Sequence, residues 1–130
     1  MAGEESLEKL LAALRPSLLP GDFVFCTVPE SNYSAIASLH PVSTYQEEEG
    51  LSLVLNKRIA DDAGLTYESV FQCISLQVHS SLEAVGLTAA VAGKLSDNGI
   101  SANVIAAFYH DHIYVPKDKA ELALRLLENL

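Results

Sequence analysis

The stretch VFQCISLQVHSSLEAVGLTAAVAGKLSDNGISANVIAAFYHDHIYV, Val70–Val115, decides how this chain folds. It opens with an apolar run in which Ile74, Leu76 and Val78 share one face of a strand and Cys73, Ser75 and Gln77 the other. The run breaks at HSSLEAVG. Beyond it the period changes: Leu87, Val91 and Leu95 recur at helical spacing until Asp97-Asn98-Gly99 supplies a stop. ANVIAAF and HIYV follow as two more strands, turning through Tyr109–His112. The order is a β-α-β-β unit. A loop of polar groups and one glycine joins its first strand to its helix, and that loop is where ligand chemistry concentrates.

Upstream, Leu7, Leu10, Leu11 and Leu14 share a helical face, with Ser6 placed to cap the helix and Pro16 to stop it. LRPSLLPG then reads as a Pro-punctuated connection into the strand DFVFCTV, with Phe23 and Phe25 facing one way. PESNYSAIASLH, from Pro29 to His40, is polar and irregular. VSTYQEE and GLSLVL form a hairpin turning near Glu49-Gly50, with Leu51, Leu53 and Leu55 alternating inward. NKRIADDAG is a short helix ending at Gly64. At the C-terminus, Asp118 and Glu121 form a capping pattern ahead of Ala120, Ala123, Leu124 and Leu127, which point to the core. Ala89, Ala92 and Gly93 allow close packing on a second face of the long helix.

Six strands and about four helices in short-linked pairs predict an α+β sandwich with helices on one face of antiparallel sheets. The second half, β-α-β-β-α, is a ferredoxin-like unit without its last strand. The helix and strand of Leu7–Val28 can supply the missing piece, which would interlock the two halves. The 130 residues fit one domain or two small halves; 49% are hydrophobic and 19% charged, enough for a buried core. A net charge of −9 argues against nucleic acid and anionic membrane as partners. The N-terminus, MAGEESLEKLLAALRP, has no basic region of a secretory signal, and no stretch approaches the roughly eighteen apolar residues of a membrane helix. A cytoplasmic protein is expected. Cys26 and Cys73 then read as buried free thiols; a bridge would need their strands to be neighbours.

VGLTAAVAGKLSDNGISANVIAAFYHDHIYVP resembles the ACT-domain family, in the branch found in aspartate kinases and eukaryotic amino-acid sensors. With LRPSLLPGDFVFCTVP and EEEGLSLVL, the whole chain is similar to small bacterial proteins of two ACT-like halves. The resemblance implies a degenerate ACT-like half over residues 1–68 and an ACT domain over 69–130. It also implies a non-enzymatic regulatory module that binds a small ligand, an amino acid, and needs no cofactor. The ligand would sit where the first strand meets the helix, against His79, Ser80, Ser81, Leu82, Val85, Gly86 and Leu87, with Asn103 contacting it from the next strand. Backbone amides of the loop would hold its carboxylate. The family's D-x-P-G loop signature is replaced here by Ser81 through Gly86, without proline. The alternative function is a structural or protein-interaction module that has lost the ligand.

Elementary physics supports the placement. A helix beginning near Ala84–Leu87 presents free N–H groups and a positive dipole end to an anion. Gly86 lacks the Cβ that would obstruct approach. Ser80 and Ser81 can bond a ligand or cap the helix, and Glu83 faces either solvent or the ligand's amine. Open sheet edges and small-residue helix faces favour a homodimer.

Other clusters are weaker. His110-Asp111-His112 offers two imidazoles at one strand face, short of a tetrahedral metal site, and reads as a polar hairpin tip with Asp111 bonding its own backbone. Ser80 or Cys73 lacks a nucleophile elbow. Glu47-Glu48-Glu49 reads as a solvated turn, and Tyr109 and Tyr114 as sheet residues.

Overall fold

Leucines that alternate along a strand must find an apolar partner, and two separate cores satisfy them. The computed structural model describes residues 6–29, 33–79 and 81–130, without the side chains of 33 and 35. In chain order these form α1 (Leu7–Ala12), β1 (Pro16–Leu18), β2 (Phe23–Val28), α2 (Tyr33–Ala37), β3 (Ser43–Gln46) and β4 (Leu51–Asn56). Then come α3 (Lys57–Asp62), β5 (Phe71–Leu76), α4 (Leu87–Asp97), β6 (Asn103–Ala106), β7 (Asp111–Pro116) and α5 (Ala120–Glu128). They divide into two compact units, Gly21–Phe71 and Met1–Pro20 with Gln72–Leu130.

In the smaller unit the strand order is β3-β4-β2, with Phe71 pairing Phe23 beyond β2. Leu51, Leu53 and Leu55 are each 0% exposed, as the alternation predicts, and close a core with Val24, Cys26, Ile36 and Ala60. The segment read as irregular contains α2. Asn56 Oδ1 caps α3 by accepting from Arg58 N at 2.9 Å. In the hairpin turn Glu47 N donates to Gly50 O at 2.9 Å, and a Cβ on Gly50 would lie 2.6 Å from the Val28 carbonyl oxygen. Only glycine fits there.

In the larger unit the order is β1-β5-β7-β6. β1 pairs antiparallel with β5, Pro16 opposite Leu76, Ser17 opposite Ser75 and Leu18 opposite Ile74. Leu19 N to Cys73 O, 2.9 Å, and Gln77 N to Arg15 O, 3.0 Å, extend that ladder. The missing fourth strand is therefore supplied from the N-terminal side, as expected. The residues that supply it are Pro16–Leu18, read from sequence as a connection. DFVFCTV belongs to the smaller unit. A proline is admissible at Pro16 because it opens the strand, where its absent N–H costs least.

The faces of β5 and β7 carrying Ile74, Leu76, Ile113 and Val115 pack on Leu87, Val91 and Leu95 of α4, Ala120, Ala123 and Leu127 of α5, and Leu10 and Leu14 near α1. Each unit has a β-α-β-β-α order and helices on one sheet face, the ferredoxin-like α+β architecture. Two expectations fail locally. The capping pattern at Asp118 and Glu121 does not form; a 3-10 turn over Lys117–Lys119 leads into α5 instead, and Ala120 N bonds Lys117 O. Ala89 is exposed and, among the described residues, nothing lies within 4 Å of a Cβ built on Gly93, so neither makes the close contact expected of it; Ala92 is half-buried. Cys26 and Cys73 are buried and free.

Leu53→Ala will remove a fully enclosed side chain and lower unfolding free energy in urea by about 2–5 kcal/mol. Gly50→Ala, by forcing a Cβ onto a carbonyl oxygen that cannot yield, will cost at least about 1 kcal/mol by the same measurement.

Candidate ligand-binding site

The head of α4 is built without a capping side chain. Gly86 is its N-cap, at φ 98°, and among the described residues no side chain caps the first turn. Ser81, expected to cap this helix or meet a ligand, is committed elsewhere: its Oγ accepts from Glu83 N at 3.1 Å and its carbonyl from Ala84 N at 3.0 Å. It closes a separate turn ahead of the helix. α4 runs for 11 residues, so its first-turn donors and the positive end of its dipole form an anion-favouring surface. Gly86 serves the backbone. Its positive φ excludes other residues at little cost to glycine, and a Cβ there would lie 3.0 Å from Leu7 Cδ2 of α1.

In front of this helix end is a cavity of about 70 Å³ lined by Ser81, Leu82, Ala84, Leu87, Thr88, Ala106 and Asp111. Of the residues expected from sequence, Ser81, Leu82 and Leu87 line it and Gly86 adjoins it as the cap. Val85 points away and is 82% exposed. His79 is half-buried and stacks in an aromatic cluster, its ring centroid 5.4 Å from Tyr109 and 6.0 Å from Phe108. Asn103 is exposed on β6, where its Nδ2 donates to the Tyr114 carbonyl at 3.3 Å, and does not line the cavity. Ser80 lies outside the described residues. Glu83 faces solvent.

Thr88 and Asp111 were missed. Asp111 is not a hairpin tip: the turn is 107–110, closed by Ala107 N to His110 O at 3.1 Å, and Asp111 is the first residue of β7. It is only 8% exposed. Burial holds its carboxyl above the ordinary carboxylate range, against a smaller opposing pull from His112. The sequence did carry a signal, since Asp111 falls in phase with the inward residues Ile113 and Val115.

The other chemistry resolves into structure. The Cys73 thiol, 0% exposed, is pushed up to about 11 by burial, with Tyr114 opposing, so it is no thiolate nucleophile. Among the described residues no three His, Cys, Asp or Glu side chains gather as a metal site. In the smaller unit, a cavity of about 420 Å³ is lined by Asp22, Asn56, Lys57, Arg58 and Asp61. Two of its charges are engaged with each other: Lys57 Nζ bonds Asp61 at 2.9 Å, and Tyr67 donates to the same carboxylate at 2.6 Å.

An ACT-domain family model matches residues 2–72, and a second ACT-domain model matches 68–129. No curated protein matches the chain. Among solved structures, the chain is similar to a Vibrio cholerae protein of unknown function described as a possible transport protein. The two are 54% identical over 96% of this chain and 95% of that one, with a TM-score of 0.87. An Agrobacterium tumefaciens protein is 22% identical over 89% and 87%, with a TM-score of 0.73. The regulatory subunit of aspartate kinase from Thermus thermophilus, in its ligand-free form, is 12% identical over 90% and 97%, with a TM-score of 0.62. The last two show a shared fold.

Because burial raises the Asp111 carboxyl, its ionised form opposes folding: the cost is absent below the unfolded value and develops as pH rises through the folded one. Asp111→Asn will therefore melt above the unmodified protein at pH 7. The difference in Tm will shrink toward zero by about pH 3, below the ordinary Asp range. Melting curves across that range check it.

Proposed function

The chain belongs to the ACT-domain family, and from that premise we propose that it is a cytoplasmic, non-enzymatic regulatory module that binds an amino acid at the head of α4. The observation that carries this reading is the uncapped first turn of α4 opening on a cavity, a backbone surface ready for a carboxylate. In this proposal Ser81, Leu82 and Leu87 meet the ligand within the cavity and Gly86 adjoins it, while His79, Ser80, Val85 and Asn103 meet the part of the ligand that extends beyond the cavity. In this reading residues 1–68 are an ACT-like half and residues 69–130 the ACT domain that holds the site. Among the described residues no helix is long and apolar enough to cross a membrane.

At about 70 Å³ the cavity is small beside the roughly 300–1,000 Å³ of a complete small-molecule site, so it takes a head group and not a whole ligand. Its surroundings support a second wall supplied by another copy of the chain. Leu82, Val85, Phe108 and Tyr109 are 68%, 82%, 60% and 63% exposed, a concentration of apolar surface that gains by being covered. A homodimer, with the ligand held beneath that cover, accounts for both features. Binding regulates by favouring the paired state, which binds it better.

The test is a melting screen against the twenty amino acids, on protein unfolded, dialysed and refolded to remove carried-over ligand. At least one will raise stability, by about 2.7 kcal/mol when present at a hundred times its Kd. Absence of any shift at millimolar concentrations would favour the alternative, a structural or protein-interaction module.

A further inference from the structure

We propose that Asp111 reads the ammonium group of the ligand, so that the site takes zwitterionic α-amino acids and rejects carboxylic acids that lack the amine. The proposal rests on the reading that a small carboxylate-bearing molecule binds at the head of α4, and it assigns to that site a specificity-determining residue.

The first argument comes from comparing the two hairpins. In the smaller unit a four-residue turn, 47–50, leads to Leu51, the first residue of β4, paired with Gln46. In the larger unit a four-residue turn, 107–110, leads to Asp111, the first residue of β7, paired with Ala106. Both turns are closed alike, Glu47 N to Gly50 O and Ala107 N to His110 O. Leu51 is 0% exposed and Asp111 8%. The fold makes this a core position. One unit fills it with a leucine, the other with a carboxylate, and packing alone would favour the leucine.

The second argument concerns partners. No side chain among the described residues hydrogen-bonds the Asp111 carboxylate, and its electrostatic neighbour there is His112. Yet no buried side-chain oxygen among the described residues lacks both a partner and contact with solvent. The carboxylate therefore keeps an opening, and the cavity that Asp111 lines with Thr88 and Ser81 provides it. A buried carboxylate without a partner is costly, and an ammonium donor is the ligand group that offsets that cost best.

The third argument is charge balance within a small volume. At about 70 Å³ the cavity has room for a small head group, which suits an ammonium. Beside it the first turn of α4 attracts a carboxylate. A simple carboxylic acid would bring a second negative charge next to Asp111 with no ammonium between the two. An α-amino acid presents one pole to each: its carboxylate to the α4 N–H groups, its ammonium to Asp111.

The experiment compares affinities by titration calorimetry for the twenty amino acids and their des-amino acids, such as propanoate for alanine, 4-methylpentanoate for leucine and 3-phenylpropanoate for phenylalanine. The unmodified protein will bind at least one amino acid and bind its des-amino partner at least tenfold more weakly. Asp111→Asn, which keeps the shape, and Asp111→Leu, which copies the other unit, will each bind that amino acid at least tenfold more weakly and lose the discrimination; melting curves confirm that both are folded. If the unmodified protein binds both acids alike, or the folded variants keep the affinity, Asp111 is not the reader while the binding reading stands. If no amino acid binds the unmodified protein at all, both readings fall.

Discussion

A three-residue backbone ladder holds the larger unit together. β-α-β-β-α leaves one side of β5 without a hydrogen-bonding neighbour, and an open edge beside a buried face is unstable and prone to pairing with other chains. Pro16–Leu18 covers that edge, and bonds from Leu19 and to Arg15 lengthen the cover at both ends. The consequence reaches the head of α4. Because β1 lies on β5, α1 immediately before it is drawn onto α4, and Leu7 packs against Gly86 at the head of that helix. Strand closure thus shapes the loop in which an anion would sit. Topology and site share one cause.

The same helix end sets two electrostatic demands in opposition. Uncapped N–H groups and the helix dipole favour negative charge, while the cavity beside them already contains a buried carboxylate. Stability alone would resolve the conflict with a serine cap and an apolar residue at position 111. The larger unit does neither, whereas the smaller unit places a leucine at the corresponding hairpin position. A stability sacrifice concentrated at one cavity, next to exposed apolar side chains, is how binding surfaces ordinarily differ from the rest of a fold.

Much of this was legible in the residues. Alternation in Leu51–Leu55, and the helical spacing of Leu87, Val91 and Leu95, identify a strand and a helix whose inward residues are buried as the periods require. In β5 Ile74 and Leu76 are buried as expected, but so are Cys73 and Ser75 of the other face, and Val78 lies beyond the strand and is half-buried. Short apolar segments were harder. Pro16–Leu18 looks like a connection because three residues between prolines carry no period, and their strand character exists only through pairing with β5. α2 was hidden for a similar reason: five residues without a charge pattern leave little trace. Asp118 and Glu121 had the right spacing for a capping box, yet a 3-10 turn claimed the same backbone groups first. At the site, the loop could be located from a glycine between strand and helix. Asp111 was passed over because Asp in a hairpin usually bonds its own backbone in the turn.

By itself, then, the sequence determined the fold class, the inward face of each long element and the loop at the head of α4. These depend on local periodicity and composition, which a linear pattern records. The tertiary structure alone decided which segment completes the sheet of the larger unit, that Ser81 closes its own turn instead of capping α4, and that Asp111 lies buried beside that helix. Those outcomes depend on residues far apart in the chain competing for the same hydrogen-bonding groups and the same enclosed volume. Such competition is settled only when the chain has closed on itself.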